Sequence, residues 1–215
     1  MLAACGDNLH APVDAAPVDA PPDAPIDAPW LPDLALVAAE MDGTTVITNT
    51  SFAPTDCEVV EGCIDTAGSR RLLRFATVTE NRGRVALDLG PTPPAGVSSG
   101  IFVWSPCHMH HHVAGYADYE LRDGTGVIVH GRKQAFCLED DEQVEPLGPS
   151  HNFHCTMQGI SPGWADVYGN GLPCQWLDIT NVAPGTYTLR VTIDGSGVLP
   201  DADPTNNEWT TTVSF

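Results

Sequence analysis

Lysine is almost missing from this chain of 215 residues: Lys133 stands alone, and every other basic side chain is arginine. Nine basic residues face 28 acidic ones, for a formal net charge of −19. Such a balance excludes a protein that grips nucleic-acid phosphate, which needs basic surface. It favours solubility and attraction to cationic partners. Long apolar runs are also lacking, and no stretch approaches the ~20 apolar residues of a membrane span. Helical periodicity is absent too, because no window of twelve residues sustains an apolar stripe of period 3.6. None of the seven cysteines falls in a Cys-x-x-Cys metal pattern. Length allows one domain with a sizeable core and argues against two.

Residues 1–5 end in Leu2-Ala3-Ala4-Cys5, which resembles a bacterial lipobox. In that motif the cysteine becomes the acylated first residue of the mature protein, so Cys5 is the expected lipid anchor and the only expected membrane attachment. Residues 6–33 form a Pro/Ala/Asp tract whose prolines deny backbone donors and whose aspartates repel one another. It reads as a disordered, extended linker. Six cysteines then remain for the folded part, enough for three disulfides in an oxidising compartment, and sequence alone leaves their pairing open. The expected location is extracytoplasmic: a cell-surface or periplasmic lipoprotein, or a secreted protein where the anchor is absent.

From residue 34 to 215 the chain is a series of short β segments separated by turn residues, as in Asp123-Gly124, Pro184-Gly185 and Asp194-Gly195. Expected strands include Leu34–Ala38, Leu72–Val78, Tyr116–Arg122, Val127–His130, Tyr187–Ile193 and Trp209–Phe215, the last two forming a hairpin. The implied class is an all-β sandwich of short antiparallel strands with long loops, little helix and disulfide braces. The hairpin loop Pro200-Asp-Ala-Asp203-Pro-Thr-Asn206-Asn207 is rich in oxygen ligands. It reads first as a polar turn, with calcium as the ion it would hold otherwise.

Three histidines alternate within Trp104-Ser-Pro-Cys107-His108-Met-His110-His111-His112. Strand side chains alternate faces, so His108, His110 and His112 share one side while Met109 and His111 take the other. On a helix of ~3.6 residues per turn the three would fan apart. Converging imidazoles suit copper, zinc or nickel better than calcium or magnesium. A solvated histidine tract that takes metal only opportunistically is the competing reading.

These segments do not stand alone. The histidine cluster, then Tyr119-Glu-Leu-Arg-Asp123, Gly131-Arg-Lys-Gln-Ala-Phe-Cys-Leu-Glu-Asp140, Gln158-Gly-Ile-Ser-Pro-Gly163, Asp166-Val-Tyr-Gly169 and Cys174-Gln-Trp-Leu-Asp-Ile-Thr180 follow one order. That order resembles the lysyl oxidase catalytic domain over roughly residues 34–215. The resemblance implies a copper-dependent amine oxidase whose lysine tyrosylquinone cofactor is built from the chain itself. It assigns Cu(II) to His108, His110 and His112 and the quinone to Lys133 and Tyr168. A substrate amine, on a lysine-rich protein or a small molecule, would leave as an aldehyde, with O₂ reduced to hydrogen peroxide and ammonia released. Asp166 is the candidate general base, against a solvated loop aspartate, and Glu139, Asp140 and Asp178 are rivals. The resemblance also implies Cys57–Cys63 and Cys107–Cys155 bridges. Cys137 and Cys174 are then left to bond to each other, because Trp164 stands where the animal enzymes carry a cysteine. Asp118 stands where histidine is expected. A surface copper-binding sandwich that never matures a quinone is the alternative function, and Lys133 with Tyr168 separates the two.

Overall fold

The computed structural model describes residues 30–131, 137–145 and 148–215. Two four-stranded antiparallel sheets dominate them. One orders β1 (Leu34–Leu36), β4 (Thr77–Asn81), β12 (Trp164–Tyr168) and β10 (Glu142–Gln143). The other orders β15 (Glu208–Ser214), β14 (Thr186–Ile193), β8 (Ala117–Asp123) and β9 (Gly126–His130). Leu34, Leu36, Val78 and Ala165 from the first share one core with Tyr119, Leu121, Leu189, Val191 and Val213 from the second. The all-β class is therefore as expected, and so is the terminal hairpin, in which Thr186–Thr192 pairs with Glu208–Ser214.

Smaller units add to the same core, contributing Leu73, Leu87, Phe102, Val113, Ile160 and Leu177. β13 (Trp176–Asp178), β3 (Gly68–Arg74) and β2 (Val46–Phe52) form a three-stranded sheet. β11 (Met157–Ile160) pairs β5 (Leu87–Pro91), and β6 (Phe102–Ser105) pairs β7 (His110–Val113). Two helical turns, α1 (Ala38–Met41) and α2 (Cys57–Val60), are the α-helix among the described residues. Four-residue helices leave no periodic trace in a sequence. The expected strand 72–78 is in fact two strands, broken at Phe75-Ala76, with Phe75 fully buried against Tyr119.

The disulfides overturn every expected pair. Cys57 joins Cys107, Cys63 joins Cys174, and Cys137 joins Cys155. Cys57 opens α2 and Cys63 lies beyond its end, so the two are delivered to different neighbours. Cys63 packs with Phe52, Leu72, Cys174 and Trp176 in a satellite core, while Cys57 reaches the turn before the histidines, at a Cα separation of 5.7 Å from Cys107. Each Cα separation, 5.0 to 5.7 Å, lies in the range a bridge requires.

Candidate metal and catalytic site

The histidine hairpin is built much as the alternation demands, with one difference. His110 and His112 lie on β7, opposite Ser105 and Val103 of β6. His108 precedes the strand in a tight turn, where Met109 takes φ 60° and is 69% exposed. That turn, rather than strand pleating, brings His108 back over its neighbours. His108 Nδ1 lies 3.3 Å from His112 Nε2, which lies 3.0 Å from His110 Nε2. Ring nitrogens so spaced fit the edges of a coordination polyhedron around one ion, whose metal–nitrogen bonds measure about 2.0–2.1 Å. His111 points the other way, is buried, bonds the Val97 carbonyl at 2.8 Å and meets the Trp104 ring edge-on. The three predicted ligands thus come together and His111 stays out.

Sequence reasoning missed Glu61, at the C-terminal end of α2. Its carboxylate accepts from the Ser105 hydroxyl, and Oε2 lies 3.6 Å from His108 Nδ1. Only its place between Cys57 and Cys63 hinted at this, and the wrong cysteine pairing hid it. Asp118 is exposed on β8 and faces Gly195. A cleft of about 450 Å³ opens beside the triad, walled by Val60, Val103, Trp104, Pro106, Glu61 and His112.

Tyr168 ends β12, is 3% exposed, and donates its hydroxyl hydrogen bond to the Cys137 carbonyl at 2.8 Å. Cys137 and Cys155, joined to each other, have sulfurs within 4.8 Å of a His110 ring nitrogen. One bridged cysteine pair therefore lies between the histidine cluster and the tyrosine. Lys133, four positions before Cys137, lies outside the described residues, as do Cys5 and nearly all of the 6–33 linker. Gln158 ties the pieces together. Fully buried, it donates to the His111 carbonyl at 2.8 Å and accepts from the Leu138 amide at 3.1 Å. Next to it, Gly159 cannot be anything larger, because a Cβ there would lie 2.1 Å from the Leu87 carbonyl oxygen.

Asp166 is not a solvated loop residue. It sits on β12, is 1% exposed, and shares its strand face with Tyr168 and, across the ladder, Thr79 and Thr77. Oδ1 accepts from the Glu139 amide at 3.1 Å, whereas Oδ2 has no partner among the described residues. Burial, and then the Asp141 charge, raise its pKa well above the ordinary carboxylate range, although the Tyr168 hydroxyl favours the charged form. The rivals differ. Asp140 is consumed as a brace, accepting from Asn152, Phe153 and twice from Ser161. Asp178 accepts from Thr180 and faces Arg70. Glu139 remains open, half-buried, with its pKa raised by burial and by Asp141.

The oxygen-rich loop is better furnished than its own residues implied. Residues 33 and 34 return to it: Leu34 donates its amide to Asp201, and Asn206 donates to Asp33. Asn207 donates to Asp201, while the buried Oδ1 atoms of Asn206 and Asn207 are unpartnered among the described residues.

Set beside known proteins, the chain matches the Lysyl oxidase family model over residues 32–215. It is 34% identical to Protein-lysine 6-oxidase of Homo sapiens over 191 residues, 82% of this chain and 44% of that protein. It is 35% identical to Lysyl oxidase homolog 2 of Xenopus tropicalis, over 82% of this chain and 24% of that protein. With Lysyl oxidase homolog 3B of Danio rerio it shares 36% over 81% and 22%. The chain spans less than half the length of each of these relatives.

Proposed function

Because the chain belongs to the lysyl oxidase family, we propose that it is a copper- and quinone-dependent oxidase of primary amines, peptidyl lysine among them. The observation that carries this reading is the triangle of ring nitrogens from His108, His110 and His112, set one disulfide away from Tyr168. Three imidazoles suit Cu(II), and the three named histidines would hold it. Lys133 and Tyr168 would form the lysine tyrosylquinone. Lys133 precedes by four positions Cys137, whose carbonyl Tyr168 contacts, and such a segment spans at most ~14 Å when extended. Chain connectivity therefore permits the crosslink. When bound, copper and quinone would together supply the two-electron oxidation of the amine, with O₂ as terminal acceptor.

The chain's own residues do the rest. Asp166 beside Tyr168 takes the substrate's α-proton, and a carboxylate whose pKa is raised by burial is a stronger base than an ordinary one. The cleft walled by Val60, Val103, Trp104 and Pro106 offers apolar surface for an aliphatic amine stem next to the triad. A net charge of −19 attracts cationic substrates and speeds encounter at low salt.

Three disulfides support an extracytoplasmic site of action, with Cys5 as the proposed lipid anchor. The loop around Asp201, Asp203, Asn206 and Asn207 keeps its first reading as a polar turn, and calcium is the ion it would hold otherwise. The deciding experiment incubates copper-loaded protein with a lysine-rich peptide. Equal release of ammonia and hydrogen peroxide, blocked by phenylhydrazine, supports the oxidase. Copper binding without either product leaves the copper-binding sandwich.

A further inference from the structure

Glu61 lies where a bystander carboxylate would not. The usual partner of a metal-bound imidazole holds its outer nitrogen. Glu61 instead approaches Nδ1 of His108, the atom that faces His112 across 3.3 Å. Its side chain is only 7% exposed. Ser105 is shared between the two, donating its hydroxyl to Glu61 and accepting from the His108 amide at 3.1 Å. The placement is covalently enforced, since Cys57, one helical turn before Glu61, is bridged to Cys107, the residue next to His108. An anion withdrawn from water beside imidazoles that are neutral when they bind metal gains from a cation among them.

We propose that Glu61 is part of the copper centre of this chain. Its carboxylate offsets part of the ion's charge and keeps Nδ1 of His108 turned inward, so that His108 binds through Nδ1 while His110 and His112 bind through Nε2. This inference rests on the copper reading above and extends it to a residue outside the histidine cluster.

Cu(II) alone is the probe, titrated into the full apo chain against a competing chelator and followed by electron paramagnetic resonance. Glu61→Gln keeps the size and an acceptor for Ser105 but removes the charge. It is expected to weaken Cu(II) binding by about 10–100-fold and to shift the copper spectrum. Glu61→Asp keeps the charge one methylene short and should fall between the two. Near-UV circular dichroism of the apo forms checks folding. If the Gln variant fails to fold, the Asp variant carries the comparison. Unchanged affinity together with an unchanged spectrum in the folded variant overturns the role of Glu61. Wild type that takes up no Cu(II) overturns the copper reading itself, a distinct outcome seen before any variant is compared.

Discussion

Replacing Asp166 by asparagine should cost activity while adding stability. The Asp166 carboxyl is buried, leaves Oδ2 unpartnered among the described residues, and has its pKa raised by burial and by Asp141. A carboxyl whose folded pKa exceeds its unfolded value binds its proton more tightly when folded. Its stabilising contribution is complete below the unfolded pKa and is lost as pH rises through the folded pKa. The native chain therefore grows less stable across that window, and the Asp166→Asn chain does not. The introduced amide would keep the Glu139 N–H on its own oxygen, with Thr79 Oγ1 and Tyr116 OH, buried and unpartnered among the described residues, as candidate acceptors for its NH₂ group. Relieving an unsatisfied buried group is worth about 1–3 kcal/mol. At roughly 2–4 °C per kcal/mol for a chain of this size, Tm should rise by about 2–12 °C above the folded pKa. Loss of a general base should lower kcat by about 10²–10⁴-fold. Thermal unfolding of apo Asp166→Asn across a pH series, beside peroxide release from copper-loaded enzyme, reads both. A variant less stable at every pH, or one with native kcat, refutes the reasoning.

Other perturbations have equally definite outcomes. Gly159→Ala drives a Cβ to 2.1 Å from the Leu87 oxygen and 2.7 Å from the Phe153 ring, and soluble yield and cooperative melting should both collapse. Removing the Cys57–Cys107 bridge, which spans 50 residues, should cost up to about 4 kcal/mol and loosen copper, as differential scanning calorimetry and chelator competition would show. His112→Ala should abolish stoichiometric copper by metal analysis, whereas His111→Ala should keep it and lose only stability, since His111 bonds Val97 and packs on Trp104. Tyr168→Phe gives up the bond to Cys137, at about 0.5–1.5 kcal/mol, and should bind copper yet develop no quinone absorbance.

Much of the molecule was legible in its sequence, for physical reasons. Period-two alternation announced β14 and β15, and the same rule found the histidines, two of which do sit on one strand face. Where local pattern ceased to govern, reading failed. β12 runs Trp164-Ala-Asp-Val-Tyr168, and its aspartate made a buried strand look like a loop. Glu61 and Asp33 reach their partners from far along the chain; nothing local marks Asp33, and only the flanking cysteines mark Glu61. The disulfides were misassigned because the resemblance pointed to Cys57–Cys63, while the turn after α2 sends the two thiols to separate neighbours.

The most direct test of the central claim is peptide mass analysis of copper-loaded, aerobically incubated protein, with visible absorbance recorded before and after phenylhydrazine. The account predicts a quinone band, its hydrazone, and one crosslinked peptide containing Lys133 and Tyr168. Bound copper with no chromophore and with those two residues on separate, unmodified peptides would contradict it.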